Sequence, residues 1–261
     1  DLNRAKPTMF ISVPRLWLKF QQGVFSKMPP AKLNLLLSIP ILGGVVRKKI
    51  LKGLGLDQVI VAGSGSAPIP AELIMWYRKL GLNLLEGYAM TEDFAYSHNS
   101  TNEVNAPGCV GVPLEGVQAR ISPEGEILVK SPGQMVGYYK RPDLDAEAFT
   151  SDGFFKTGDQ GTQRADGLLK ITGRVKELFK TSKGKYVAPA PIENKLTVHP
   201  MIEMSIVSGV AQSAAYAMVV LAEDIRPKMK EPAVKAQVEQ ELSDLLVKVN
   251  AELADYEKLR M

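Results

Sequence analysis

An aromatic ring, a hydroxyl and a carboxylate stand close together at Tyr88, Thr91 and Glu92, inside the string GYAMTE at 87–92. Tyr88 can stack on a purine ring such as adenine, and Thr91 can donate to a phosphate oxygen. Glu92 can hold Mg2+, a cation that takes few carboxylates and keeps several waters. Read alone, the same three residues also fit a buried tyrosine and a helix-capping Thr-Glu pair. A second group lies between 157 and 191, where Asp159, Arg174, Lys176, Lys180, Lys183 and Lys185 alternate with glycine-bearing turns. A carboxylate in a glycine turn, as in TGD at 157–159, can accept both hydroxyls of a ribose. Taken singly it is ordinary turn chemistry, and the cations are ordinary solvent-facing residues.

The elements that must position these residues follow from periodicity. Residues 8–13 alternate as a strand and Pro14 opens a helix. The apolar run at 58–62 predicts a buried strand leading into GSGSAPIP at 63–70. Pro70 and Gly81 bracket a predicted helix, and 82–86 predict the strand directly before GYAMTE. Strand, small-residue loop, helix, strand predicts a right-handed parallel crossover. Both loops then leave the carboxyl ends of neighbouring strands, the edge where open α/β sheets bind ligands. From Gly111, short alternating segments predict a small β subdomain: a hairpin of 117–122 and 126–131, and a strand at 168–172 after the Asp166-Gly167 turn. Past Arg174 the pattern predicts a hairpin with strands at 175–180 and 185–188, a helix from Pro191, and strands at 203–208 and 217–221. A closing helix running to Leu259 carries Val234, Val238, Leu242, Leu245, Val249 and Leu253 as one stripe. The expected fold class is α/β, followed by a small β subdomain and an α+β C-terminal module.

With 261 residues, 45% hydrophobic and 23% charged, the composition is that of a globular chain with one large core or two smaller ones. Lys plus Arg number 32 against 28 Asp plus Glu, a surplus too small to point to nucleic acid as a partner. The single cysteine, Cys109, excludes an intrachain disulfide and a cysteine-rich zinc site, and fits a reducing compartment. His98 and His199 are the only histidines, and neither has the setting of a triad or a metal cage. The longest uncharged run, 33–46, is broken by Pro40, Gly43 and Gly44 and is shorter than the roughly 18 residues needed to span a bilayer. It reads as a pair of core helices with a solvated basic end at Lys32, Arg47, Lys48, Lys49 and Lys52. A surface element touching anionic lipid is the other reading.

In chain order, the glycine-rich loop, YxMTE, GE[IL]LV followed by GYY, TGD, GRVKE and KGKYVxP form a series. That series resembles the adenylate-forming enzymes, most closely the long-chain fatty acyl-CoA synthetases, over essentially 8–261. The resemblance implies a ligase that joins a long-chain fatty acid to AMP with release of pyrophosphate, then passes it to the thiol of coenzyme A. ATP, coenzyme A and Mg2+ are the implied small molecules. Gly65, Ser66, Ala67 and Pro68 would line the nucleotide together with Gly87, Tyr88, Ala89 and Thr91. Thr91 and Glu92 would be catalytic, Glu92 as the metal carboxylate, while Asp159 and Arg174 would hold the ribose. Lys176 would be the hinge, and Lys183, Gly184 and Lys185 would lie beside coenzyme A. Ala89 stands where the family usually has glycine, and its methyl would narrow the acyl tunnel or shift the nucleotide.

The implied organisation is the back part of a large AMP-binding domain over 1–173 (an α/β sheet at 1–110, a β subdomain at 111–173), a hinge at 174–176 and a truncated small C-terminal domain at 177–261. The family's phosphate loop and adenylation lysine have no counterpart here, so the chain reads as an interior fragment. It is expected to be inactive alone, since losing one such electrostatic donor costs on the order of 10²- to 10³-fold in rate. The expected location is cytoplasmic, with peripheral contact at the inner membrane surface and a homodimer through an exposed sheet edge left open. Two other readings stand beside this one: an adenylating enzyme for another acid or a carrier-protein thiol, and a noncatalytic nucleotide-binding module.

Overall fold

The computed structural model describes residues 1–260 and separates into two compact units. The first comprises Asp1–Thr157 and Gly161–Ile171; the second comprises Gly158–Gln160 and the chain from Thr172 onward.

The first unit begins with α1 (Leu2–Ala5), β1 (Met9–Ser12), α2 (Pro14–Phe25), α3 (Pro30–Ser38), α4 (Leu42–Leu54), β2 (Val61–Ser64), α5 (Ala71–Lys79), β3 (Leu84–Tyr88), β4 (His98–Asn99) and β5 (Val112–Pro113). Its strands form one sheet in the order β1-β2-β3-β4-β5, parallel through β3 and antiparallel thereafter. Strand alternation sends Phe10, Ala62 and Leu84 into a core shared with Trp17 of α2 and Leu73, Ile74 and Tyr77 of α5. The fully buried Trp17 donates its indole N–H to the Gly63 carbonyl at 3.2 Å, and the Tyr77 hydroxyl donates to the Trp17 carbonyl at 2.6 Å. The two rings meet edge to face with centroids 4.9 Å apart, worth about 0.5–1.5 kcal/mol beyond the area they bury. On the opposite face Met9 and Ile11 stay 61% and 65% exposed.

Next come β6 (Gln118–Ile121), β7 (Glu126–Lys130), α6 (Pro142–Ala148), β8 (Phe155–Gln163) and β9 (Leu169–Arg174), whose strands form a sheet in that order around Val110, Ile127, Val129 and Leu169; Gly158–Gln160 of β8 and Thr172–Arg174 of β9 count with the second unit. The second unit holds β10 (Phe179–Lys180), β11 (Tyr186–Val187), α7 (Pro189–Thr197), β12 (Ile202–Ser208), β13 (Tyr216–Leu221) and α8 (Pro232–Ala251). Two antiparallel pairs, β10-β11 and β12-β13, pack with α7 and α8 around Val187, Ile192, Ile202 and Val249. The stripe expected on α8 faces inward, with Val238, Leu245 and Val249 buried.

Several boundaries differ from the sequence pattern, each for a local reason. β2 starts at Val61 rather than Gln58, because Val59 N–H turns back to Leu56 O and both the Ile60 and Val61 amides bond Thr8 O. β3 starts at Leu84, because Leu82 N–H still closes α5 on Tyr77 O at 3.0 Å; Gly87 and Tyr88 are therefore strand residues. The strand expected at 175–180 shrinks to Phe179–Lys180, where Phe179 is buried, and Val175–Glu177 form an exposed 3-10 turn. α7 starts at Pro189 rather than Pro191. α8 ends at Ala251 instead of reaching Leu259, because the Asn250 amide donates to Leu259 O and accepts Leu259 N–H, folding the tail back to bridge Ala215. The segment 33–46 does form two helices that share in the core, with Leu33 buried and Leu37 and Val46 packed against the same cluster, while the apolar residues around the connector stay exposed. Among the described residues no helix is long and apolar enough to cross a membrane.

Candidate functional site

The parallel β2-β3 pair aligns Ser64 with Glu86, so the loops that follow both leave one edge of the sheet. They run close together: a Cβ built on Gly65 would lie 3.6 Å from Gly87 O. Ser66, Ala67 and Pro68 are exposed, and Ser66 takes a left-handed φ of 67°. Beneath this loop Glu86 is buried on the helix side of the sheet, where its Oε1 accepts Ile69 N–H at 3.3 Å. Burial pushes its carboxyl up to about 7, against the opposing effect of that bond. Ser64 Oγ and Glu86 Oε2 are buried with no hydrogen-bond partner.

Past β3 the chain turns sharply through Thr91–Asp93, a 3-10 turn followed by left-handed Phe94 and Ala95. Asp93 makes the turn possible. It is buried, and its Oδ1 accepts Met90 N–H at 3.0 Å. Thr91 is exposed and Glu92 half-buried. Tyr88 is half-buried too; its ring packs with the Val110, Ile127 and Val129 cluster and lies 6.0 Å from the His98 ring. Part of the ring therefore serves the core. His98 is buried, held well below its usual value at about 4 by burial, with Ser97 Oγ 2.9 Å from its Nδ1.

The restraint on Glu92 was missed in the sequence. Tyr138 donates its hydroxyl to Glu92 Oε1 at 3.0 Å, and Met135 N–H bonds Glu92 O at 2.7 Å. Tyr138 is itself fixed by its backbone N–H on Asp145 Oδ1 at 2.8 Å. Burial and the carboxylate beside it raise the phenol above its ordinary value, so it stays a neutral donor. Gly133 lets this loop approach: a Cβ there would sit 2.6 Å from Asp93 O. The GYY string at 137–139 was the available signal, since a tyrosine in a conspicuous motif calls for a partner for its hydroxyl.

In the second unit Arg174 Nη1 pairs with Asp159 Oδ1 at 3.3 Å, the arginine side chain 55% exposed and the aspartate 14%. Lys176 is exposed in the 3-10 turn after β9. Lys183, Gly184 and Lys185 form the exposed turn between β10 and β11, closed by Thr181 N–H on Lys185 O at 2.9 Å, with Gly184 at φ 77°. The candidate residues thus divide between the units: Gly65 to Glu92 in the first, Asp159 to Lys185 in the second. Among the described residues no group of three or more His, Cys, Asp or Glu could hold a metal. Glu92 alone fits only a cation that draws its other ligands from water and substrate phosphate.

Residues 1–139 match the family described as AMP-binding enzyme. The chain is 36% identical over 209 residues to the long-chain-fatty-acid–CoA ligase FadD15 of Mycobacterium bovis, covering 80% of this chain and 32% of the relative. It is 32% identical over 230 residues to long chain acyl-CoA synthetase 3 of Arabidopsis thaliana, covering 74% and 34%. Among solved structures, the A-PCP didomain of a carboxylic acid reductase from Segniliparus rugosus in complex with AMP superposes with a TM-score of 0.76 at 27% identity, over 99% of this chain and 37% of that one. The chain spans about a third of the length of the curated relatives it matches.

Proposed function

The chain belongs to the AMP-binding enzyme family, and from that premise we propose that the complete protein is an ATP-dependent ligase that adenylates a long-chain fatty acid and transfers it to coenzyme A. The observation that carries the reading is the pairing of β2 with β3, from which the Gly65–Pro68 loop and the Tyr88–Glu92 turn leave one sheet edge, with a Cβ on Gly65 falling 3.6 Å from Gly87 O. Relatives that are long-chain ligases, at 32–36% identity, support the choice of acid.

In this reading the exposed backbone of 65–68 receives the flat adenine, the open part of Tyr88 stacks on it, and Thr91 donates to a phosphate oxygen. Glu92 would hold Mg2+, which when bound neutralises charge on the triphosphate as the acid attacks. Tyr138 keeps that carboxylate aimed, because a neutral donor satisfies one oxygen without bringing an opposing charge. Asp159 accepts the ribose hydroxyls, Arg174 orients it, Lys176 is the pivot between the half-reactions, and the Lys183–Lys185 turn meets coenzyme A.

The test is pyrophosphate release by the complete reading frame across acids of increasing chain length. A rise toward long chains is expected, and a preference for short or aromatic acids overturns the substrate assignment. The carboxylic acid reductase neighbour favours one second reading, an adenylating enzyme with a carrier-bound acceptor. Thioester formation on free coenzyme A excludes it.

A further inference from the structure

Of the chain's 32 lysines and arginines, ten lie between Leu2 and Leu56, and none of its 28 acidic residues does. The overall charge of +4 conceals this, because the rest of the chain is net acidic. Within the basic segment the α3-α4 hairpin packs Leu33, Leu37 and Val46 on the core and leaves other apolar residues, most of them near its connector, facing solvent. Ile41 at the connector is 90% exposed, Leu35 65%, Val45 59%, and Ile39 and Leu42 both 41%.

The hairpin is built to hold that tip out. A Cβ on Gly43 would lie 2.6 Å from Leu37 O, so the two helices back closely onto each other. Gly43 N–H bonds Ile39 O at 2.8 Å and Leu42 N–H bonds Pro40 O at 2.7 Å, closing the connector. Ile41 adopts φ 66°, a conformation that a β-branched residue takes only under constraint. At about 100° per residue, Leu42, Val45, Lys49 and Lys52 share one face of α4, apolar at the tip and basic behind it. Arg47 begins about 8 Å along the axis from Leu42 at 1.5 Å per residue, comparable to the 5–10 Å that an interfacial helix buries.

We propose that the α3-α4 hairpin docks on an anionic lipid surface, with Ile39, Ile41, Leu42 and Val45 entering the acyl boundary and Arg47, Lys48, Lys49 and Lys52 resting on the headgroups. Charge complementarity selects the partner, and the apolar tip separates a membrane from nucleic acid, which would offer that tip nothing to enter. The inference does not rest on the ligase reading.

The experiment is sedimentation of the full-length protein with vesicles of phosphatidylcholine alone and of equimolar phosphatidylcholine and phosphatidylserine. Salt-sensitive binding to the anionic vesicles is expected, weakened about tenfold or more by Ile41→Asp, a residue type that accepts positive φ and so preserves the turn. Lys48→Glu with Lys49→Glu should weaken it by a similar factor. An environment-sensitive fluorophore on Ile41→Cys, in a background where the accessible cysteines have been replaced by serine, should shift to the blue on anionic vesicles; Cys109 is itself buried. Three results overturn the proposal: no partitioning of the wild type, binding that Ile41→Asp leaves unchanged, or a tip closed to the label until the protein unfolds. Unchanged binding of Ile41→Asp that a DNA duplex competes away would reassign the surface to a polyanion, and a closed tip would reassign it to another segment or a second copy.

Discussion

Glu92 in the first unit and Asp159 in the second are both carboxylates restrained by one identified neighbour, but those neighbours differ in charge. Glu92 accepts a hydrogen bond from the neutral phenol of Tyr138, while Asp159 is paired with the guanidinium of Arg174. A neutral donor fixes a carboxylate and leaves its charge to act on something else. A cation fixes it and largely cancels that charge. Two residues of one acidic type thus sit in different electrostatic settings, which residue type alone does not reveal. A third carboxylate, Glu86, has neither device; it is buried with one oxygen unpartnered and is held as an acid up to about 7.

The comparison breaks most visibly at Glu92. In the complete protein, Glu92→Gln is expected to slow adenylation by roughly 10²- to 10³-fold with little change in the KM for the acid, because it removes charge acting on the transition state. Rates within tenfold of wild type, read by pyrophosphate release, would remove Glu92 from the chemistry.

Glu86 sharpens the contrast through pH. Its folded value of about 7 lies above the ordinary 4.5, so between those values the folded chain binds more protons than the unfolded one. The stabilisation is complete below about pH 4.5 and is lost as pH rises through 7. Glu86→Gln should therefore flatten the stability profile over that window, by at most about 3 kcal/mol. Parallel denaturant profiles for variant and wild type would show that Glu86 does not titrate there.

Arg174→Gln should weaken AMP binding about tenfold, the cost of losing a charge-assisted contact. It should change stability by no more than about 1 kcal/mol, since the guanidinium is more than half exposed and screened. Calorimetry with AMP measures the first and thermal unfolding the second; a large stability loss with intact binding would make the pair structural. The smallest effect is expected for Tyr138→Phe, a lost neutral hydrogen bond worth about 0.5–1.5 kcal/mol. It should appear as a several-fold rise in the Mg2+ concentration giving half-maximal rate. An unchanged Mg2+ profile would mean that Tyr138 only packs.

Much of the scaffold was legible. Pro70 and Gly81 marked α5 within a residue or two, and the strand-loop-helix-strand order gave the parallel β2-β3 pair. The boundary shifts came from bonds made by single amides, such as Leu82 N–H on Tyr77 O, which no periodicity encodes. Candidate residues stood out where a motif puts several chemistries in one loop. Tyr138 was hard to see because its partner is 46 positions away, and Asp93 because its side chain serves only the turn beside it. The apolar segment at 33–46 was assigned to the core because hydrophobic side chains usually find one; Leu33, Leu37 and Val46 do, and only position-by-position exposure showed that the residues near the connector do not.

The sequence by itself determined which reactive residue types lie in each loop and the order of most strands and helices, because local spacing decides how an individual segment folds. The tertiary structure alone decided which carboxylate meets a neutral donor and which a cation, which aromatic ring is shared with the core, and which apolar residues face water. Those properties depend on neighbours supplied from distant parts of the chain, and burial and pairing energies belong to that neighbourhood rather than to any residue type.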